Sequence, residues 1–260
     1  MSLRKLTKWG VFLLLSALVI MLLLYFSSNS GKYTPRDYSE IKKEGILRIV
    51  TEYNNVGYYI SKDTIEGFQY ELCKAIEKIS GLRVEICLES NLDKSIEGLN
   101  NQAYDIIARN IPITTEYRNL LAFSLPITQS RQVLVQRTAK SNNDIPPIRN
   151  QIELAKKILH VTKNSPSILR LRNLEEEIAD TIYIQEDDLY TDVHLVYQVA
   201  EGYIDYAVVD YVIAAKNKKL FPQIDIQTDI SFTQLQAWAL RKDAPALLDS
   251  LNNWLKQCIF

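Results

Sequence analysis

The side chains that usually perform catalysis are sparse in this sequence. It contains two histidines, His160 and His194, which are far apart, and three cysteines, none of them in a CxxC pair. No Ser/His/Asp set, phosphate-binding loop or nucleotide fingerprint is present. A zinc site needs several Cys or His ligands at short spacings, so the sequence favours neither a metal site nor a cofactor. These absences favour ligand binding over catalysis.

The region where such binding is expected lies at the ends of three predicted strands. In open α/β sheets, ligands bind beyond the carboxyl ends of the strands. The segments after Ala108, Thr162 and Val209 are therefore expected to carry the function. They contain Asn110, Ser165, Ser167 and Asp210.

The elements that position these residues are an alternation of short apolar and amphipathic runs. Ile46–Thr51 predicts a strand, and a helix follows whose apolar residues share one face at helical spacing and which ends at Gly81. After a loop at 142–150 with Pro146-Pro147, the alternation resumes with strand Leu159–Thr162, helix Ser167–Ile178 and strand Thr181–Gln185. Alternating strands and helices predict mainly parallel sheets covered by helices, and the single break predicts two α/β lobes.

Several segments, in order, resemble the family 3 solute-binding proteins, the amino-acid-binding components of bacterial importers. They are Gly67–Leu72, Asp105–Ala108, Thr114–Arg118, Phe123–Pro126, Asn164–Ser167 and Gly202–Asp210. The Gly-Phe-x-Tyr-Glu-Leu form and the strand Gln132–Arg137 look closer to the amino-terminal ligand-binding half of membrane-bound lytic murein transglycosylase F. The resemblance covers roughly residues 45–257.

This resemblance implies a two-lobed periplasmic-binding-protein-like fold of type II. Lobe 1 is discontinuous and comprises residues 45–133 and 229–260, whereas lobe 2 comprises residues 134–228. The two crossings fall near Arg131–Arg137 and Asp229–Gln236. A small ligand then binds in the interlobe cleft, and the lobes close over it by a hinge motion.

The expected ligand contacts are Arg118, Asp210, Ser165, Ser167, Tyr53, Tyr59 and Asn110. In the family, an Arg after the Thr-x-Glu turn pairs with the ligand carboxylate through its guanidinium fork, which implicates Arg118. An Asp ending a lobe-2 strand accepts from the ligand's ammonium group, which implicates Asp210, although capping the next helix is the alternative. Arg109, Arg131 and Arg137 are further candidates for an anionic group.

Two departures from the family pattern bear on the ligand. An ungapped match puts Tyr117, not Arg118, at the family's Arg position, and Pro112 replaces a Thr, which removes both a hydroxyl and an N–H. The pocket for a free amino acid is therefore incomplete, and a peptide or a muropeptide is an alternative ligand.

The amino terminus predicts a membrane anchor at residues 1–27, followed by a linker at 28–44. Three basic residues, Arg4, Lys5 and Lys8, precede an apolar run from Trp9 to Phe26, which is close to the ~20 residues that cross a bilayer as a helix. Their position places the downstream part outside the cytoplasm. We therefore expect a single-pass inner-membrane protein whose globular part is periplasmic; a cleaved signal peptide is the alternative.

The charge balance and the position of the last predicted helix limit the remaining possibilities. With 30 basic and 31 acidic residues, the chain has no basic surplus for binding nucleic acid. The last predicted helix ends close to Phe260, so we expect no transglycosylase catalytic domain here. A regulatory or truncated relative of the transglycosylases, a cleft dehydratase, and a partnership with a permease or a cell-wall enzyme remain alternatives.

The three cysteines, Cys73, Cys87 and Cys258, leave two interpretations open. An oxidising compartment permits a disulfide, and Cys73 and Cys87 lie on adjacent predicted elements. Small buried apolar side chains are the other interpretation.

Overall fold

The computed structural model describes residues 35–259 and Met21, and the fold occupies Arg36–Ile259. Eight α-helices are described: α1 Tyr38–Glu44, α2 Phe68–Ser80, α3 Leu92–Asn100, α4 Thr115–Leu120, α5 Ser167–Ile178, α6 Asp192–Glu201, α7 Tyr211–Lys218 and α8 Pro245–Ile259. The strands are β1 Ile46–Thr51, β2 Tyr59–Ser61, β3 Thr64–Glu66, β4 Arg83–Leu88, β5 Ile106–Pro112, β6 Ala122–Phe123, β7 Thr128–Ser130, β8 Gln132–Arg137, β9 Ile158–Thr162, β10 Tyr183–Asp187, β11 Ala207–Asp210, β12 Ile224–Asp229 and β13 Gln234–Leu240. Two short 3₁₀ helices lie at Ala139–Ser141 and Gln151–Leu154.

The first lobe is built on a sheet with the strand order β4-β1-β5-β13-β6, and β7 pairs with β13. Strand β1 is parallel to β4 and β5, whereas β13 runs antiparallel to its neighbours. Helices α1, α2 and α8 pack together on this lobe, where the fully buried Trp238 lies in the core. A separate two-stranded hairpin, β2-β3, precedes α2.

The second lobe is a five-stranded sheet in the order β10-β9-β11-β8-β12. Strand β9 is parallel to β10 and β11, and β8 is antiparallel to β11 and β12. Two apolar clusters of this lobe include strand residues. Val133, Val135, Val209 and Ile224 are among the members of one, and Leu134, Leu159, Val161 and Val208 are among the members of the other. Because successive side chains of a strand point to opposite faces, Val133, Leu134 and Val135 alternate between the two clusters.

The chain changes sheets twice, and this produces the two lobes. It passes from β7 to β8 through Arg131 alone, and it returns from β12 to β13 through residues 230–233. The predicted two-lobed α/β fold with a discontinuous first lobe is confirmed.

The predicted linker at 28–44 is wrong over residues 38–44, which form helix α1. Asp37 caps this helix through a capping box with Glu40, and Ile41 is fully buried in the lobe-1 core. The Asp37 carboxylate also accepts from the backbone nitrogen of Leu247 at 2.7 Å, so it joins α1 to α8. The capping-box spacing of Asp37 and Glu40 was the sequence signal for this helix.

The anchor predicted at residues 9–26 lies, apart from Met21, outside the described residues. Among the residues that are described, no helix has the length and apolar character needed to cross a membrane.

All three cysteines are free thiols. Burial raises the pKa of Cys73 to about 12, so this thiol stays protonated and packs as an apolar side chain in lobe 1.

Candidate functional site: the cleft between the lobes

A cavity of about 130 Å³ lies between the lobes at the carboxyl ends of their strands. Lobe 1 contributes residues after β1 and the end of β5, including Glu52, Tyr53, Arg109 and Asn110. Lobe 2 contributes residues after β9 and β10, the start of α6 and the end of β11, including Lys163, Ser165, Asp188, Asp192 and Asp210. The three segments expected from the sequence to carry the function all border this cavity.

The loop at residues 54–57 forms the lobe-1 rim of the cavity. It is held against the start of α2 by a close approach of two glycines, Gly57 and Gly67. Backbone nitrogens of Phe68 and Gln69 donate to the carbonyls of Val56 and Gly57 at 3.0 and 2.9 Å. Gly67 has φ +128°, and a Cβ there would lie 2.3 Å from the carbonyl oxygen of Gly57. Only glycine permits this contact, because other residues avoid that conformation and would clash.

A chain of side-chain hydrogen bonds runs from the lobe-1 core to the cleft. The indole nitrogen of Trp238 donates to Gln69 Oε1 at 2.6 Å, and Gln69 Nε2 donates to Asn110 Oδ1 at 2.8 Å. Because Gln69 occupies the amide oxygen of Asn110, the amide nitrogen is the group that Asn110 presents as a donor.

The two cationic side chains that line the cleft are already paired with carboxylates. The guanidinium of Arg109 forms an ion pair with Glu52 and donates from Nη1 to the Ser90 carbonyl at 2.9 Å. The ammonium of Lys163 lies 2.8 Å from Asp188. Neither cation therefore faces the cavity as an uncompensated charge.

Two carboxylates of lobe 2, by contrast, form no ion pair within residues 35–259. Asp192, the first residue of α6, accepts a hydrogen bond from Thr162 Oγ1 at 3.2 Å. Burial, reinforced by the negative charges of Glu52 and Asp210, raises the pKa of Asp192 to about 7; the Thr162 hydrogen bond and Arg109 act in the opposite direction.

Asp210 is bonded to three neutral donors instead. Its carboxylate caps α7 by accepting from the backbone nitrogen of Val212 at 2.9 Å. It also accepts from Ser130 Oγ at 2.8 Å and from Gln236 Nε2 at 2.9 Å. A carboxylate has about four lone-pair positions, so one remains for a ligand.

Comparison with known proteins identifies the family. The family described as bacterial extracellular solute-binding proteins, family 3, matches residues 47–259. The chain belongs to this family.

Curated relatives of this solute-binding protein include two named membrane-bound lytic murein transglycosylase F. The one from Pseudomonas putida strain W619 is 28% identical over 258 residues, covering 97% of this chain and 49% of the relative. The one from Desulfosudis oleivorans is 30% identical over 218 residues, covering 84% of this chain and 46% of the relative. The chain thus spans about half the length of the curated relatives it matches.

Solved structures show the same fold. The arginine-bound form of truncated ArgBP from T. maritima superposes with a TM-score of 0.72 at 24% identity, covering 85% of this chain and 99% of that one. An ancestral amino-acid-binding protein described as a precursor of cyclohexadienyl dehydratase has a TM-score of 0.70 at 25% identity, covering 84% and 92%. Among the residues described here, no group of His, Cys, Asp or Glu side chains is arranged to hold a metal ion.

Four of the seven residues predicted from the sequence line the cavity of this solute-binding protein: Tyr53, Asn110, Ser165 and Asp210. Ser167 is buried behind the cleft, where its hydroxyl donates to Gln132 Oε1 at 2.8 Å and accepts from Ser165. Tyr59 lies on the β2-β3 hairpin beyond the cavity, with its hydroxyl 3.2 Å from Glu66.

Arg118 does not line the cavity. Its side chain is exposed and borders a separate depression on lobe 1 with Phe123 and Leu235. One residue along a helix turns the side chain by about 100°, so Tyr117 points inward while Arg118 points out. Burial raises the pKa of the Tyr117 hydroxyl to about 12.

Of the three other arginines that the sequence offered as candidates, one lines the cleft and two lie outside it. Arg109 lines the cleft, whereas Arg131 is 2.6 Å from Asp229 and Arg137 is 2.6 Å from Asp205, both outside it. Glu52 and Asp192 did not emerge from the sequence. Glu52 follows the end of a strand, and this position was the one signal that could have identified it.

Proposed function

We propose that this solute-binding protein captures a small ligand with a positively charged amino group, such as an amino acid or a short peptide, by closing its lobes over the cleft. The observation that carries this proposal is the pairing pattern of the cleft. Both cations, Arg109 and Lys163, are engaged by carboxylates, whereas Asp192 and Asp210 have no cationic partner within the described residues.

The total charge of the cavity wall supports the same ligand class. Five carboxylates line the cavity: Glu52, Asp187, Asp188, Asp192 and Asp210. Only two cations accompany them, so the wall carries an excess of three negative charges when all five are ionised. A ligand ammonium group lowers the free energy of this arrangement through the charge and through hydrogen bonds to carboxylate oxygens. Asn110 and the polar turn at Ser165 are available to orient its other end.

Ligand-driven closure follows from the position of these groups. Glu52 belongs to lobe 1, whereas Asp192 and Asp210 belong to lobe 2, so closing the lobes brings negative charges towards each other. A cation in the cavity offsets this repulsion and gains contacts from both lobes, which gives it a higher affinity for the closed state.

A murein-derived peptide is the second candidate ligand. Its support is the similarity of 97% of this chain to a relative named membrane-bound lytic murein transglycosylase F. Under this alternative the chain acts in cell-wall turnover, as a regulatory relative of those proteins.

The decisive experiment is a calorimetric titration of the full chain in detergent with amino acids, simple amines, short peptides and muropeptides. Each amine is paired with its N-acetylated form, which keeps the shape and removes the charge. We expect binding of an amine and loss of binding on acetylation. Equal affinity for both forms would overturn the proposal, and binding of muropeptides alone would select the cell-wall alternative. Recovery of chemically altered ligand would indicate an enzyme.

A matched pair of variants locates the site. Asp192→Asn removes a cleft charge and is expected to weaken binding of the amine by about 1–3 kcal/mol, the contribution of a charged hydrogen bond. Asp249→Asn removes an exposed charge on α8, outside the cleft, and is expected to leave affinity unchanged.

We further propose that residues 9–26 anchor the chain in the inner membrane with the globular part in the periplasm. The support is the basic residues and the uninterrupted apolar run of the sequence. Protease added to spheroplasts should digest the globular part; full protection would contradict this topology.

A further inference from the structure

The carboxyl-terminal end of α7 joins lobe 2 to lobe 1 outside the ligand cavity. The ammonium of Lys216 donates to the backbone carbonyl of Asn55 and lies over the ring of Tyr59, 4.4 Å from its centroid. Next to it, Asn55 Nδ2 donates to Asn217 Oδ1 at 3.1 Å. None of these four residues borders the cavity, so the contacts connect the lobes without involving a ligand.

The partners on the two lobes are each held in place by their own lobe. Asn217 is buried, and its side-chain nitrogen donates to the Ile213 carbonyl within α7 at 2.8 Å, which orients its oxygen towards Asn55. On lobe 1, the loop carrying Asn55 is fixed by the backbone hydrogen bond from Phe68 to Val56. The interlobe contact is therefore made by preorganised groups rather than by two freely moving side chains.

The other end of the same helix is tied to the crossing strands. Asp210 caps α7 and accepts hydrogen bonds from Ser130 on β7 and Gln236 on β13. Helix α7 spans eight residues, or about 12 Å. One rigid element thus connects the hinge, where the chain changes lobes, to the interlobe contact at Lys216.

We infer that Lys216, together with Asn55 and Tyr59, is a ligand-independent latch that favours the closed arrangement of the lobes. A latch of this kind sets the fraction of ligand-free molecules that is already closed. Since apparent affinity scales with the population of the binding-competent state, Lys216 strengthens ligand binding without touching the ligand. Lys216 is therefore a positioning residue. The ammonium is exposed to solvent, so the latch is weak enough to open for ligand entry and release.

The first test concerns the ligand-free protein and does not depend on the proposed ligand. Neutron scattering from the full chain, in detergent matched out by solvent contrast, measures its radius of gyration. We expect Lys216→Ala to increase the radius of gyration relative to the unsubstituted chain. Lys219→Ala is the matched control, because Lys219 is exposed at the same helix end and, within residues 35–259, its side chain forms no ion pair or hydrogen bond with lobe 1. It should leave the radius unchanged.

A second variant tests the same contact from the opposite lobe. Asn55→Ala removes the hydrogen bond to Asn217 while leaving α7 intact, and it should also increase the radius of gyration. Circular dichroism verifies that each variant is folded. An unchanged radius in both Lys216→Ala and Asn55→Ala would overturn the latch.

The ligand arm of the experiment rests on the proposed function. With an amine that binds the unsubstituted chain, Lys216→Ala should raise the dissociation constant by about two- to fivefold, the effect of losing an exposed cation–π contact. The change should appear as faster dissociation. If no amine binds but the scattering of Lys216→Ala changes, the latch stands and the proposed ligand class fails.

Discussion

The side-chain nitrogen of Gln236 donates a hydrogen bond to the carboxylate of Asp210 over 2.9 Å. Gln236 is the third residue of β13, the strand that follows the second crossing, whereas Asp210 belongs to lobe 2 and caps α7. Ser130, directly before the first crossing, donates to the other oxygen of the same carboxylate. A single side chain at the cleft wall therefore holds both crossings and a lobe-2 helix together, so its ligand contact and its structural role are linked.

Two substitutions of Asp210 separate these roles. Asp210→Ala removes the helix cap and leaves the buried Gln236 amide without its acceptor, so the free energy of unfolding should fall by about 2–4 kcal/mol. Asp210→Asn keeps a capping oxygen but removes the charge, so stability should change less while the affinity for an amine falls by about 1–3 kcal/mol. Urea denaturation measures the first quantity and calorimetry the second. Undiminished amine binding by Asp210→Asn would exclude Asp210 as a ligand contact.

Ligand affinity should depend on pH through Asp192. Its pKa is raised to about 7, so the carboxylate loses its charge as the pH falls through neutrality. An ammonium ligand binds the ionised form, so its affinity should fall roughly tenfold between about pH 8 and about pH 6. Calorimetry across this range measures the effect. In Asp192→Asn, the part of the pH dependence of affinity that comes from the Asp192 carboxylate should disappear. If the variant and the unsubstituted chain have identical pH profiles of affinity, a different titrating group causes the dependence.

The same group should leave a signature in stability. The pKa of Asp192 is about 7 in the folded chain, above the ordinary value of 3.8. Between these values the unfolded chain binds fewer protons than the folded one, so this group's contribution to the free energy of unfolding decreases as pH rises through the window. Urea titrations of the unsubstituted chain and Asp192→Asn should converge at the acidic end of the window and diverge towards neutral pH. Parallel curves would contradict the raised pKa.

The glycine contact at the cleft rim should be intolerant of substitution. Gly67→Ala places a Cβ against Gly57 in a backbone conformation that L-residues avoid. It should therefore lower the free energy of unfolding by about 1–3 kcal/mol and displace the rim. Gly81→Ala is the matched control, because Gly81 also has a positive φ but has open space around it. It should cost about 1 kcal/mol. Thermal denaturation compares them, and equal losses would show that only the φ angle matters.

A buried ion pair fixes the start of the described fold. Arg36 Nε lies 2.8 Å from Asp105, whose side chain is fully buried and also accepts from the backbone of Arg48 at 2.9 Å. Arg36→Ala leaves this carboxylate without its cation, and the free energy of unfolding should fall by about 3–5 kcal/mol. Arg83→Ala breaks an exposed pair with Glu85 and should cost about 0–1 kcal/mol. Urea denaturation distinguishes them; similar small losses would indicate that water replaces Arg36.

Local patterns in the sequence predicted most of the elements. Helix α5 occupies the predicted residues 167–178, because its apolar positions recur at helical spacing between a serine-proline turn and a short loop. Strand β10 was predicted at 181–185 and lies at Tyr183–Asp187, since alternation alone does not fix where a strand begins. The hairpin β2-β3 was missed: its three-residue strands are too short for a periodic signal.

By itself, the sequence determined the alternation of strands and helices, the break between two α/β lobes and the strand ends at which the cleft forms, because periodicity is a local property. The discontinuous order of the first lobe was implied by the resemblance to the family. Only the tertiary structure decided which charges face the ligand. Glu52 and Arg109 neutralise each other because β1 and β5 are adjacent parallel strands whose register pairs Val50 with Ile107 and so brings the residue after β1 beside Arg109. Arg118 points away from the cleft because packing the Tyr117 ring inward sets the rotation of a helix too short to show periodicity. Pairing and rotation of this kind arise from contacts between distant segments, which no local pattern encodes.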